Sequence, residues 1–207
     1  MPPASLKLVI LDRDGTINED RDDFVKSPDE WVPLPGSLEA ISRLNHAGWH
    51  TVLATNQSGL GRGLFDMASM NAIQLKMNQA LAQQGGRIDA VFFCPHAPDD
   101  GCDCRKPLPG MMRQIAERFG VSLENTPMVG DNLRDMQAGA AAGCPTHLVL
   151  TGKSAGLEGE PLADLLDAVP GTCVHNDLSA FADWLIRQDR SQRGDTGESD
   201  SGFGELH

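Results

Sequence analysis

An α/β fold with a mostly parallel sheet is expected from three observations. Short apolar runs at 6–12, 50–55, 90–94, 127–130 and 146–150 alternate with helical patterns, as crossover connections between parallel strands require. The first run is too continuously apolar for a half-exposed strand, and β-branched Val9 and Ile10 suit a strand buried on both faces. The chain of 207 residues, 40% of them hydrophobic, is long enough to bury one good core, which places a single domain over 1–187.

Each element has its own signal. After the first strand, Pro35-Gly36-Ser37 opens a helix whose Leu38, Ile41 and Leu44 share a face, and Gly48 closes it. The second strand, 50–55, leads to a longer helix behind Asp66, a suitable N-cap, with Met70, Ile73, Met77, Ala80 and Leu81 on one side and Gly85-Gly86 at its end. That Met and Leu stripe reads as core packing. Helices over Met111–Phe119 and Leu133–Ala142 end at Gly120 and Gly143. The alternation continues with helical patterns at 162–169 and 178–187 around a short strand at 172–174. Beyond Gln188 the chain has almost nothing to bury, and 188–207 is expected to be a disordered tail.

Composition excludes several function classes. A formal net charge of -12 argues against nucleic acid or an anionic membrane as a partner, while leaving room for a small anionic substrate held by local cations. No segment approaches the ~20 apolar residues of a membrane span, and the start of the chain lacks a signal-peptide pattern, so a cytoplasmic location is expected. No apolar surface stripe is left over, which makes a monomer the default. Five cysteines in a reducing compartment point to metal binding or burial and not to a disulfide framework.

The first strand ends in Asp12-Arg13-Asp14-Gly15-Thr16. Residues at i and i+2 on an extended backbone point the same way, so the two carboxylates can converge on one atom while Gly15 lets the chain turn. The carboxyl end of a parallel strand is where open α/β sheets place their sites. Such a pair suits phosphoryl transfer: Asp12 attacks phosphorus, and Asp14 protonates the leaving alcohol and later activates water. Two anions facing a phosphate need a cation, and magnesium is the natural choice. That cation favours ionised Asp12, while the crowding charge is expected to raise the pKa of Asp14. The bland reading makes one acid a turn cap and leaves the other solvated.

Later strand ends add to this set. Thr55-Asn56-Gln57-Ser58-Gly59 offers hydroxyl, amide and backbone donors for phosphate oxygens. Arg105-Lys106-Pro107 supplies the fixed positive charge that a phosphoryl transition state requires. Asp131 and Asp135 put further acids behind the fourth strand, although helix capping alone would attract them. Two acids, a hydroxyl, a lysine and an acid at four successive strand ends are improbable as coincidence.

This ordered set resembles the haloacid dehalogenase-like phosphatase superfamily over about residues 6–152. The resemblance implies a Rossmann-like doubly wound sheet with helices on both faces, Asp12 as nucleophile, Asp14 as general acid/base, and Thr55 and Lys106 as phosphoryl clamps. It also implies magnesium held by Asp12, Asp131 and the backbone carbonyl of Asp14. No insertion is long enough for the large cap domain of many relatives, so the short segment 15–35 stands in its place and the site is expected to be open.

A second cluster is soft. Cys94-Pro-His96 and Cys102-Asp-Cys104 put four ligands within eleven residues, around a loop with no apolar anchor. A closed set of thiolates and imidazole selects structural zinc, which would fold the loop 94–104 and hold Arg105 and Lys106 behind it. Cys144 and Cys173 sit in apolar settings and are expected to be buried. His46, His50, His147 and His175 lack ligand spacing.

Together with Asp-Arg-Asp-Gly-Thr-Ile-Asn and Thr-Asn-Gln-Ser-Gly, the zinc loop resembles that of the D-glycero-D-manno-heptose 1,7-bisphosphate 7-phosphatases. The resemblance implies removal of the C7 phosphate, with substrate contacts from Asp20, Arg21, Asp22, Asp23, Asn56, Gln57, Ser58, Arg105 and Asn132. Arg105 is the candidate for the distal C1 phosphate, because its planar fork engages phosphate oxygens in pairs. Asp23 stands where that family has an aromatic residue, and Asn132 where a lysine is common. The rival readings are a histidinol-phosphate phosphatase and a zinc-stabilised binding protein without catalysis.

Overall fold

Strand β1 (Leu8–Leu11) lies at the centre of a six-stranded sheet in the computed structural model, which describes residues 6–194. Its neighbours are β2 (His50–Asn56) and β4 (Met128–Gly130), with β3 (Ala90–Cys94) at one edge and β5 (Thr146–Val149) and β6 (Cys173–His175) towards the other. The order β3-β2-β1-β4-β5-β6 is parallel throughout, with Leu11 paired to Leu53 on one side and to Val129 on the other. This order reverses direction between β1 and β4, so a crevice opens there at the carboxyl ends of the strands.

The continuous apolar run of β1 has the reason expected of it. Val9 and Leu11 pack on one face with α1 (Ser37–His46), α3 (Met67–Gln83) and α7 (Leu178–Gly194), through Ile41, Leu44, Ile73, Met77 and Phe181. Leu8 and Ile10 pack on the other face with α4 (Gly110–Phe119) and α5 (Leu133–Ala142), through Met112, Ile115 and Ala138. All four β1 side chains are fully buried. A smaller cluster joins α5 and β5 to α6 (Gly159–Ala168) through Met136, Leu148 and Leu165. Asp66 caps α3 by accepting from the Ser69 amide at 2.8 Å, as its position suggested.

Several expectations need correction. Leu6 is 39% exposed and precedes β1, which begins at Leu8. Ser58–Gly61 is a short helix, α2, where the polar segment suggested only a turn. Cys144 is buried as expected, but Cys173 is exposed on the edge strand β6. His147 and His175 stack on each other and against Phe181 and Trp184, a structural use in line with their lack of ligand spacing. Helix α7 runs past Gln188 to Gly194, and Lys7 Nζ meets Asp189 Oδ2 at 2.7 Å, an anchor that composition hid. The rest of the expected tail, 195–207, lies outside the described residues. Among the described residues no helix is long and apolar enough to cross a membrane.

Candidate active site

The crevice between β1 and β4 carries a floor of buried charge. Asp12 directly follows β1, with its amide donating to Val129 O at 2.9 Å, and one of its carboxylate oxygens lies 2.9 Å from Lys106 Nζ. Lys106 Nζ also meets Asp135 Oδ1 at 2.6 Å and donates to Ala54 O at 2.7 Å. Lys106, Asp131 and Asp135 are each 2% exposed or less. Burial works against the charge on Lys106, but the facing Asp12 and Asp135 outweigh it and hold its pKa above the ordinary lysine range.

Asp12, Asp131 and Asp135 bring one carboxylate oxygen each to within 4.8 Å of one another. Burial first, and repulsion among these acids second, push the pKa of Asp12 up to about 7 and that of Asp131 up to about 8. Asp131 is fixed on every side. Its Oδ2 accepts from the Lys153 amide at 2.6 Å, its Oδ1 from the Thr16 hydroxyl at 3.4 Å, and its backbone carbonyl from Ser154 Oγ at 2.6 Å. Two glycines make this close approach possible: a Cβ at Gly15 would fall 2.2 Å from Asp131 Oδ2, and one at Gly152 would fall 2.1 Å from it. Gly15 also takes a φ of 82°, a conformation that side chains disfavour.

Asp14 departs from its expected electrostatics. Arg13, itself 1% exposed, folds back onto it with Nε at 2.9 Å and Nη2 at 2.8 Å. Asn18 Nδ2 and Gln57 Nε2 add donors at 2.8 and 2.9 Å. Burial favours the neutral acid, but the charge of Arg13, and after it these four hydrogen bonds, prevail and hold the pKa of Asp14 below the usual carboxylate range, not above it. The two strand-end acids do diverge in pKa, with Asp12 as the raised member.

Above the floor is a cavity of about 250 Å³ lined by Asp12, Asp14, Thr55, Asn56, Ser58, Lys106 and Asp131, and by Asp20, Arg21, Asp22, Arg105 and Asn132 from the surrounding loops. The segment 15–35 contributes only a 3-10 turn at Pro28–Glu30 and isolated bridges, so no separate cap covers the site. Two candidates are not on the lining. Gln57 is buried, with its amide donating to Asp14 and Thr55. Asp23 turns outward and pairs with Arg21 and Lys26, because those cations reach it more readily than the cavity does. Asn56 lines the wall while its amide brackets the Lys106 backbone with two hydrogen bonds of 3.0 Å. Asn132 caps α5 in a reciprocal box with Asp135.

Sequence reasoning missed the parts played by Arg13, Asp135 and Lys153. Asp135 stands in the first turn of α5, where it closes the capping box with Asn132, and its visible role as a cap hid its ion pair with Lys106. Lys153 has no local signal; its ammonium bridges Asp20 and Asp22, each at 2.9 Å, across the cavity mouth.

Behind the cavity, Cys94, His96, Cys102 and Cys104 gather their ligand atoms within 4.8 Å. Cys94 Sγ lies 3.6 Å from Cys102 Sγ, and His96 Nδ1 lies 3.3 Å from Cys104 Sγ. A tetrahedron with zinc bond lengths has edges of roughly 3.5–3.8 Å, so the four atoms fit one zinc ion. Cys94, Cys102 and Cys104 are free of disulfides. Arg105 Nη1 donates to His96 O at 3.2 Å, which ties this loop to the cavity wall.

A doubly wound parallel sheet with this carboxylate floor defines a hydrolase of the haloacid dehalogenase-like class, and the family model described as HAD-hydrolase-like matches residues 103–180. The D-glycero-beta-D-manno-heptose-1,7-bisphosphate 7-phosphatase of Bordetella bronchiseptica is 59% identical over 186 residues, covering 88% of this chain and 99% of its own. The enzyme of the same name from Pseudomonas aeruginosa is 48% identical over 183 residues, with coverage of 88% and 99%. Among solved structures, the D,D-heptose 1,7-bisphosphate phosphatase of B. bronchiseptica, complexed with magnesium and phosphate, superposes with a TM-score of 0.82 at 60% identity over 88% of this chain and 99% of that one. The corresponding protein from Burkholderia thailandensis gives 0.66 at 56% identity, with coverage of 86% and 98%. The chain belongs to the D-glycero-beta-D-manno-heptose-1,7-bisphosphate 7-phosphatase family, and it is a phosphoric monoester hydrolase.

Proposed function

We propose that the chain removes the C7 phosphate of D-glycero-β-D-manno-heptose 1,7-bisphosphate to leave heptose 1-phosphate, a precursor of ADP- or GDP-heptose for lipopolysaccharide core or other glycans. The observation that carries this reading is Asp12 on the cavity floor, 2.9 Å from buried Lys106 and beside Asp131, in a chain whose relatives act on that bisphosphate by name. The β anomer follows those names.

In this reading Asp12 attacks phosphorus in line and forms an aspartyl phosphate. Arg13, Asn18 and Gln57 keep Asp14 ionised at rest. It therefore first takes up a proton, from solvent or from the incoming phosphate monoanion, and gives it to the leaving C7 oxygen; as a carboxylate again it takes a proton from the water that hydrolyses the acyl phosphate. Thr55 and Lys106 clamp the phosphoryl oxygens, and Lys106 is already charged and in place. Asp20, Asp22, Asn56, Ser58 and Asn132 line the path of the sugar, with Arg105 towards the distal phosphate.

The donor set suits magnesium. Hard carboxylate oxygens that repel each other enough to raise two pKa values accept a divalent cation readily. Asp12 and Asp131 would hold it through carboxylates and Asp14 through its backbone carbonyl; when bound it neutralises charge on the phosphoryl group. Cys94, His96, Cys102 and Cys104 would hold zinc, which would stabilise the loop that precedes Arg105 and Lys106. The reading places a monomer in the cytoplasm, where those thiols stay reduced.

The test compares phosphate release from the α and β heptose bisphosphates and from histidinol phosphate. Both bisphosphates are expected ahead of histidinol phosphate by about tenfold or more in kcat/KM, because a site built around a second phosphate penalises a substrate lacking it, and the β anomer is expected first of the two on the names of the relatives. A preference for histidinol phosphate would overturn the assignment.

A further inference from the structure

The cations of the cavity are not equivalent. Lys106 is bound to Asp12 and Asp135, Arg21 to Asp23, and Lys153 to Asp20 and Asp22. Two guanidinium groups on the lining have no carboxylate partner among the described residues: Arg105, which donates only to the His96 carbonyl, and Arg134. Both also line an adjoining cavity of about 300 Å³ next to Pro107 and Leu108, so they share one boundary of the site.

Arg134 stands in the first turn of α5, two residues after the N-cap Asn132. A cation there opposes the positive end of the helix dipole, and an unpaired one gains nothing locally to offset it. The arrangement becomes favourable when an anion enters between the helix start, Arg134 and Arg105. Asp20 and Asp22 also line the cavity, but they hold Lys153 between them at 2.9 Å each, so the positive charge left without a carboxylate partner among the described residues of the lining is that of Arg105 and Arg134. A second phosphoryl group finds its unsatisfied cations there.

We infer that Arg134 is a substrate-binding residue for the phosphate that is not cleaved, working with Arg105, and that this pair makes the enzyme selective for a bisphosphate over a monophosphate. This rests on the proposed heptose bisphosphate reading and adds to it a residue that the sequence analysis did not single out.

Steady-state kinetics test it with heptose 1,7-bisphosphate and heptose 7-phosphate, which present the same scissile group with and without the distal phosphate. Arg134→Gln is expected to raise KM for the bisphosphate about tenfold with kcat changed less than about twofold, and to leave the monophosphate unaffected. Arg134→Glu should raise it further, and Arg134→Lys should recover only part of the loss, because a point charge replaces a fork. Arg134 is exposed, so the variants should fold, and circular dichroism checks this. Equal KM changes for both substrates, or no change for either, overturn the inference while leaving the function standing. A wild-type enzyme that ignores the bisphosphate but hydrolyses another phosphomonoester overturns the substrate reading, and the inference with it.

Discussion

The two ligand clusters of this molecule are built in opposite ways. The carboxylate floor is assembled from three places far apart in sequence: Asp12 directly after β1, Lys106 in the loop between β3 and α4, and Asp131 with Asp135 around the start of α5. The cysteine loop is local, with its four ligands between residues 94 and 104 and no apolar side chain in the tip 97–101 beyond Ala97 and Pro98 to hold it. The floor is preorganised by the sheet and pays electrostatically for it, with two acids pushed towards neutrality. The loop lacks such support and, on the proposed reading, would depend on zinc. A rigid scaffold therefore carries the buried charge, while a loop with a soft ligand set leads directly into Arg105 and Lys106.

The largest expected effect comes from Asp12→Asn. It should lower kcat by roughly 10⁴-fold or more while the thermal midpoint stays within a few degrees, because the sheet and not the charge holds the floor together. A variant that keeps a tenth of its phosphate release would remove Asp12 from the nucleophile role. Cys104→Ser should do the reverse, with zinc falling below one per chain and the midpoint dropping by roughly 10 °C. Activity should fall with it as Lys106 and Arg105 lose their support. Elemental analysis beside calorimetry checks both numbers, and a stable zinc-free variant would show that the loop folds unaided.

Chelation separates the two sites more gently. Mild EDTA should stop turnover and leave zinc and the circular dichroism spectrum unchanged, because four ligands close around zinc while the floor stays open to solvent. Full activity in EDTA without added magnesium would contradict the proposed carboxylate site.

The smallest effect is one of pH. Asp12 and Asp131 have folded pKa values of about 7 and about 8, against an ordinary 3.8. Between those limits the folded state keeps protons that the unfolded state has released, so their contribution is present below about pH 4 and is lost as pH rises towards 8. The magnesium-free midpoint should therefore decline over that range by a few degrees, and added magnesium should recover more at pH 8 than at pH 6. Zinc retention should run the other way, failing as acid protonates the thiolates. A magnesium effect independent of pH would mean that the two acids are not ionised together by the metal.

Much of this site was legible because its signals are contiguous. The run Leu8–Leu11 followed by two aspartates marks a buried strand and its carboxyl end, and the Cys and His spacing marks a tetrahedral site. The strands and most helices fell where periodicity and glycine stops placed them. The end of α7 did not, since the Lys7 to Asp189 ion pair joins opposite ends of the chain. Nor did the electrostatics of Asp14: Arg13 is adjacent in sequence, but the Asn18 and Gln57 donors come into reach only when the turn after β1 closes and β2 pairs alongside. Cys173 looked buried among apolar neighbours and is exposed because β6 is an edge strand.

Residue types and their order along the chain were enough to establish the chemistry: a strand-end acid pair, a lysine, further acids and a soft ligand set, in the sequence typical of one phosphatase family. Local propensity and ligand hardness depend only on nearby residues, so one dimension suffices for them. Which acid is neutral, which cation is already paired and which arginine faces the cavity follow from three-dimensional packing. Desolvation and Coulomb interactions depend on distances between groups far apart in sequence, such as Asp12 and Asp135, and only the closed sheet sets those distances.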